Sequence, residues 1–217
     1  SSVGNISINK LIKTIENHFE DLPKSNFKRE EEPFSNYLKK EIEIKRNGFQ
    51  AHCMLGVEAY GINHPKKTAM ILLNNILGGP GMNSRLNLAI REKYGFTYSI
   101  ESNYIPYSDT GIFSIYLASD NDKIKKSIKL TKKELVKFCQ KPLGTLQLKK
   151  AKQQLIGQIA IAQESEVNLM LAMGKSMLLY NKVDTFESVK NKIEVINSKQ
   201  LLEVANEMFN LDNLSCL

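Results

Sequence analysis

The sequence predicts an α+β fold: a two-layer sandwich in which an antiparallel-rich mixed sheet packs against helices. Two observations carry this. Strand-like runs come in adjacent pairs, residues 37–46 with 51–59 and 98–105 with 112–117, and such pairing favours antiparallel ladders. From Asp122 almost to the end the apolar spacing is helical, so strands and helices do not alternate one for one as a doubly wound parallel sheet requires.

In chain order, Ile6 and Ile8 suggest a short strand. Leu11, Ile12, Ile15 and Phe19 recur at spacings of three and four, which predicts a helix over 9–20 closed by Asp21-Leu22-Pro23. Residues 24–35 are polar, with Glu30-Glu31-Glu32-Pro33, and read as a linker. In 37–46, Leu38, Ile42 and Ile44 are interleaved with Lys and Glu, as in a half-exposed strand. Residues 51–59 are more continuously apolar and suit a buried strand, with Asn47-Gly48 as a hairpin signal between the two. Pro65 opens a core helix running to Leu77. Gly78-Gly79-Pro80-Gly81 ends it, and Asn83 or Ser84 can cap a helix to Lys93 with Leu86, Ala89 and Ile90 inward. The strands at 98–105 and 112–117 follow, then helices over 122–140, 145 to about 180 with an interruption, 185–196 and 198–210. A strand fragment at 214–217 closes the chain.

Composition narrows the function. The chain has 217 residues, 42% hydrophobic and 24% charged, an ordinary globular composition. No apolar stretch reaches the roughly 18 to 20 residues of a membrane span, and the N-terminus lacks a signal-peptide layout. The absence of an initiating Met leads to the expectation of a fragment or a mature chain. The formal net charge is +7, and the whole excess lies in residues 121–160, where eleven basic residues meet two acidic ones. Lys123, Lys125, Lys126, Lys129, Lys132, Lys133 and Lys137 interleave with Ile124, Ile128, Leu135 and Phe138 at helical spacing. A solvated helix face is preferred over a nucleic-acid patch, because aromatic stacking partners are missing. Cys53, Cys139 and Cys216 form no C-x-x-C pair, so neither a disulfide framework nor a zinc ribbon is indicated. A reducing compartment is expected, the cytoplasm ahead of the periplasm.

Candidate chemistry is sparse. His18, His52 and His64 sit in neither H-E-x-x-H nor H-x-x-E-H, the patterns that place two imidazoles on one helix face beside a carboxylate. His18-Phe19-Glu20 lacks the P-C-x-x-C that a zinc deaminase needs. His52 and Cys53 are adjacent on a strand and so face opposite sides, which argues against a catalytic pair. Gly174-Lys175-Ser176 has Leu169 where a phosphate-binding loop needs glycine, and it lies in a helix whose Met170, Met173 and Met177 read as core filler. Gly78 to Gly81 before a helix could cradle an anion, but a tight interhelical turn is preferred. Arg91 and Tyr98, seven residues apart across a helix-to-strand turn at Gly95, could bring a guanidinium and a phenol together as hydrogen-bond donors to a carbonyl, but on the residues alone structural roles are preferred.

These last residues carry a resemblance. Leu73-Asn74-Asn75-Ile76-Leu77-Gly78-Gly79-Pro80-Gly81-Met82-Asn83-Ser84-Arg85-Leu86, then Arg91-Glu92-Lys93-Tyr94-Gly95-Phe96-Thr97-Tyr98-Ser99, resembles the C-terminal, non-zinc half of the pitrilysin/insulinase/mitochondrial-processing-peptidase family of zinc metallopeptidases. Gly4-Asn5-Ile6, residues 19–23, Gln50-Ala51-His52 and Asp109-Thr110-Gly111 also fit in order, so the resemblance spans nearly the whole chain. Tyr94, where the family often has Arg, and Pro80 within the glycine turn depart from it.

The resemblance implies two similar halves closing around an unfolded peptide substrate. The N-terminal half, on the same chain or a partner subunit, would hold zinc through H-x-x-E-H and a distant Glu, with zinc-bound water attacking the peptide carbonyl. Arg91 and Tyr98 would then be substrate-binding donors to the peptide backbone or the developing oxyanion. This chain would contribute no catalytic residue, no metal ligand and no membrane span, and would be inactive alone. Residues 1–23 would be the tail of the preceding half, 24–35 the linker and 36–217 the C-terminal domain. The alternatives are a non-catalytic interaction subunit of the same fold and, from another class, a basic nucleic-acid-binding domain.

Overall fold

The computed structural model describes residues 1–23 and 32–217; the larger part of the expected linker, residues 24–31, lies outside the described residues. The sheet has four strands, β1 (Ala51–Ala59), β2 (Thr97–Pro106), β3 (Gly111–Ser119) and β4 (Ser215–Cys216), in the order β2-β3-β1-β4 with antiparallel neighbours. A parallel bridge from Glu41 to Cys216 lies outside the named strands, and the sheet itself is antiparallel throughout rather than mixed. The α+β class and the two layers are thus as the sequence predicts.

The register follows from alternation. Cys53, Leu55, Val57 and Ala59 of β1 are buried while His52, Met54 and Glu58 are exposed, and β1 meets β3 with Leu55 opposite Ile115 and Val57 opposite Phe113. One sheet face therefore carries the core and the other meets solvent. Three helices cover the core face: α2 (Lys67–Gly78), α3 (Ile124–Gln140) and α7 (Ser198–Met208). Phe113 lies 5.3 Å from the Phe209 ring, which also meets Phe138 edge-on at 6.3 Å, tying the sheet to the ends of α3 and α7. Asn197 and Gln200 form a reciprocal capping box that starts α7.

The chain divides into two compact units, residues 1–33 with 158–186, and residues 34–157 with 187–217. The second holds the sheet and the three helices above, together with α6 (Phe186–Glu194) from Glu187 onward. The first holds α1 (Ile8–Phe19), α5 (Glu166–Tyr180) and the end of α4 (Thr145–Gln163). Within it, the Ser1 hydroxyl donates to the Met170 carbonyl at 2.7 Å. Neither α1 nor α5 buries a residue.

Four further expectations are corrected. Ile6 and Ile8 form no strand, because Ile8 already opens α1 and the Ile6 N–H turns back to the Gly4 carbonyl. Residues 37–46 form no regular strand. They run beside the two-residue β4, with Ile42 N–H donating to the Cys216 carbonyl and Cys216 N–H to that of Lys40, around the bridge from Glu41 to Cys216. Asn47-Gly48 consequently closes no hairpin, since β1 takes β3 and β4 as neighbours. Met170 and Met173 are half-buried and Met177 is exposed, so the methionine stripe is not core filler.

Candidate functional site

The site is built from the junction between α2 and β2. At Gly78 an added Cβ would lie 2.6 Å from the Ser102 backbone nitrogen, so the end of α2 seats directly on β2 and no larger residue fits without a shift. The chain then turns through Gly79-Pro80-Gly81, with Asn83 and Gln154 joined by amide hydrogen bonds beside it. This is the tight interhelical turn that the sequence favours over an anion cradle.

The following helix starts near Ser84 and widens into a π-helical stretch at Asn87–Glu92. Leu86 and Ile90 are fully buried and anchor it; Ala89, expected inward with them, is half-buried. Widened turns of this kind recur at functional sites because they change which side chains face outward. Arg85 lies half-buried with its guanidinium 4.1 Å from the centre of the Phe138 ring, and burial lowers its pKa, partly offset by Glu134. Arg91 is exposed, and its side chain makes no hydrogen bond or ion pair among the described residues. Gly95, with φ of +61°, supplies the left-handed residue that ends the helix, and its N–H donates to the Arg91 carbonyl at 2.8 Å.

Tyr98 lies at the start of β2 where the register shifts. Thr97 pairs with Ser119 and Ser99 with Ala118, leaving Tyr98 as the extra, unpaired residue of a bulge. Bulges re-aim side chains. Tyr98 is 56% exposed, and its hydroxyl donates to Asp120 Oδ1 at 2.7 Å. Lys123 Nζ donates to Asp120 Oδ2 at 3.2 Å. The hydrogen bond from Tyr98, then that from Lys123, holds the Asp120 carboxyl below its usual range. The same contacts, led in each case by the bond to Asp120, raise the Tyr98 phenol and the Lys123 ammonium. Arg91 and Tyr98 thus flank one glycine turn, both exposed: one is a free donor, and the other has its only proton on Asp120.

Asp120 is not among the residues the sequence singles out, and Lys123 enters there only as one of the basic residues of a helix face. A signal exists in Asp120-x-x-Lys123 at the start of a predicted helix, where the Asp120 carbonyl accepts the N–H groups of Lys123 and Ile124. A second polar cluster also goes unannounced: Glu207 of α7 takes hydrogen bonds from Tyr60 and Lys66, and His64 stacks on Tyr60 at 3.9 Å. It clasps α7 to the connection between β1 and α2.

The remaining candidates stay apart. His18 contacts the Thr14 carbonyl at 2.8 Å, His52 the Tyr116 hydroxyl at 2.8 Å, and His64 the Tyr60 ring. Among the described residues no three His, Cys, Asp or Glu side chains gather as a metal-binding group. Cys53 is buried with its sulfur 3.6 Å from that of Cys216; burial first and then Cys216 push its thiol up to about 12, far from a usable thiolate. Gly174-Lys175-Ser176 lies inside α5. On α3, Ser127, Thr131, Leu135 and Phe138 are buried while Lys125, Lys126, Lys129, Lys133 and Lys137 are exposed, the pattern of a solvated face. Among the described residues no helix is long and apolar enough to cross a membrane.

The family model for the peptidase M16 inactive domain matches residues 1–155. A Bacillus subtilis protein named as an uncharacterized zinc protease, YmxG, is 28% identical over 213 residues, covering 98% of this chain and 51% of that protein. The chain spans about half the length of the curated relatives it matches. Among solved structures, a peptidase M16 inactive domain from Pseudomonas fluorescens superposes with a TM-score of 0.83 at 24% identity, over 99% of this chain and 51% of that one. A chain of complex III2 from Candida albicans superposes with a TM-score of 0.80 at 17% identity, over 98% and 52%. These two likenesses show the fold.

Proposed function

The chain belongs to the peptidase M16 inactive-domain family, and from that premise we propose that it is the substrate-binding, non-zinc half of a zinc-dependent peptide hydrolase. One observation carries the reading: a chain that matches an inactive-domain model covers only about half of relatives that are themselves named zinc proteases. The other half, on the same chain or a partner subunit, supplies the metal. Residues 1–23 are then the tail of that preceding half, 24–35 the connection and 36–217 the inactive domain. The exposed apolar side of α1 supports this division, since Ile12, Ile15 and Phe19 are 48%, 47% and 59% exposed on a helix whose pattern is made for burial.

Among the described residues no group of side chains fits zinc. The three histidines stand on separate elements with other partners. The chemistry open to the chain is therefore binding and polarisation by its own side chains. What it offers is a surface for an extended peptide: Arg91 as a free, permanently charged donor, and Tyr98 re-aimed by its bulge. A donor of this kind, aimed where negative charge develops on a scissile carbonyl, lowers the barrier of acyl transfer.

The test uses full-length protein and an internally quenched decapeptide. Hydrolysis is expected, with loss of activity on chelation and recovery on adding zinc. The second reading, a non-catalytic interaction subunit, draws on the likeness to the complex III2 chain. Metal-free full-length protein with no hydrolysis, recovered in a stable complex with other chains, would favour it and overturn the peptidase reading.

A further inference from the structure

We propose that Cys53 and Cys216 form a site of reversible oxidation, where hydrogen peroxide closes a disulfide that ties β4 and the segment beside it to β1. The inference stands apart from the reading of the peptide surface.

Both thiols are free, and their sulfurs lie 3.6 Å apart. The register explains the approach. Cys216 stands opposite Leu55, and opposed residues of an antiparallel pair share a sheet face; Cys53, two residues before Leu55, points to that same face. A disulfide holds its sulfurs at about 2.05 Å, so closure takes a further approach of about 1.5 Å. β4 can give it, because it is a two-residue strand at the edge of the sheet. Cys139 is an internal control: its thiol donates to the Ala205 carbonyl at 3.4 Å and is joined to no other thiol among the described residues.

Exposure sets the order of reaction. Cys53 is buried and Cys216 half-buried, so peroxide meets Cys216 first. The Cys216 thiol gives up its proton, its sulfur attacks one peroxide oxygen and the O–O bond breaks; the departing hydroxide takes a proton and leaves as water, and Cys216 becomes a sulfenic acid. The Cys53 sulfur then attacks the Cys216 sulfur and displaces its hydroxyl, which leaves as a second water with the Cys53 proton. Two thiols lose two electrons in all, and one peroxide is reduced to two waters. Burial first, and then Cys216, keeps the Cys53 thiol protonated, which suits it to the second step and not the first.

β4 is held on its other side by residues 37–42. Cys216 N–H donates to the Lys40 carbonyl at 2.9 Å, Ile42 N–H donates to the Cys216 carbonyl at 2.8 Å, and the Tyr37 hydroxyl lies 2.6 Å from Ser215 Oγ. A covalent bond at Cys216 therefore restrains that segment as well.

The test treats full-length protein with hydrogen peroxide, blocks the remaining thiols with N-ethylmaleimide under denaturing conditions and maps peptides without reductant. The expected product is a linked Cys53–Cys216 peptide pair, lighter by two hydrogens than the two free peptides and released by dithiothreitol, with Cys139 outside the link. Backbone hydrogen exchange at Ile42, Met54, Cys216 and Leu217 should slow on the order of tenfold in the oxidised protein and recover with dithiothreitol. Cys139→Ser should respond as the wild type does, and neither Cys53→Ser nor Cys216→Ser should respond. Cys53 recovered fully alkylated while Cys216 carries a sulfinic acid overturns the proposal, as does a link from either residue to Cys139. A Cys53–Cys216 link that leaves exchange unchanged overturns the restraint on β4 and keeps the modification site.

Discussion

The sheet with α2, α3 and α7, and the pair α1 and α5, answer the same amphipathic sequence logic in opposite ways. In the first region the large apolar residues of the predicted pattern find cover: Leu55, Phe113, Ile115, Leu117, Leu72, Leu73 and Leu135 are fully buried. In the second, none is buried; Leu178 is 89% exposed and Phe19 59%. Apolar periodicity states that a helix face wants burial, and says nothing about which chain supplies the cover. The first region is self-sufficient. The second leaves its apolar faces exposed.

The comparison can be broken or sharpened by substitution. Phe113→Ala should cost about 3–5 kcal/mol in denaturant unfolding, from lost transfer energy plus the cavity left between β3 and α7. A cost near that of a surface site would mean the core is not where the burial pattern puts it. Gly78→Ala should cost about 1–3 kcal/mol, because its methyl meets the Ser102 nitrogen at 2.6 Å and backbone cannot give way as a flexible side chain does.

A pH series separates the regions by a different means. Glu207, held below its ordinary 4.5 first by Lys66 and then by Tyr60, and Asp120, held down first by Tyr98 and then by Lys123, both have folded-state values depressed below the unfolded ones. Their stabilisation is fully present above the ordinary carboxylate range and is lost as pH falls through the depressed values. Melting temperatures of the full-length protein should therefore fall on acidification below about pH 4, and fall less in Glu207→Gln; an unchanged acid profile in that variant removes the clasp from the account. Smallest of all, Leu178→Ala should change stability by less than about 0.5 kcal/mol wherever the residue remains exposed.

How much of the molecule is legible in its sequence follows the same division. β1, the β2–β3 hairpin and the order of helices from Asp122 onward are readable because period-2 and period-3.6 patterns are local. Residues 37–46 mislead because Leu38, Ile42 and Ile44 mimic alternation, while the available partner, β4, has only two residues. The positions of Arg91 and Tyr98 come from the motif. Their geometry does not: six residues are too few to tell a π-helical stretch from an α-helix, and the bulge at Tyr98 exists only once β2 meets β3. Asp120 is invisible for a related reason, since the hydrogen bond that gives it meaning spans 22 residues.

The central claim is that this chain binds substrate for chemistry carried out by another half, and steady-state turnover of the internally quenched decapeptide by full-length Arg91→Ala protein, measured alongside its zinc content, tests it most directly. The expected result is a fall in kcat/KM on the order of 10²-fold, the scale of one lost transition-state donor, at unchanged zinc stoichiometry. Wild-type kcat/KM in that variant would contradict it.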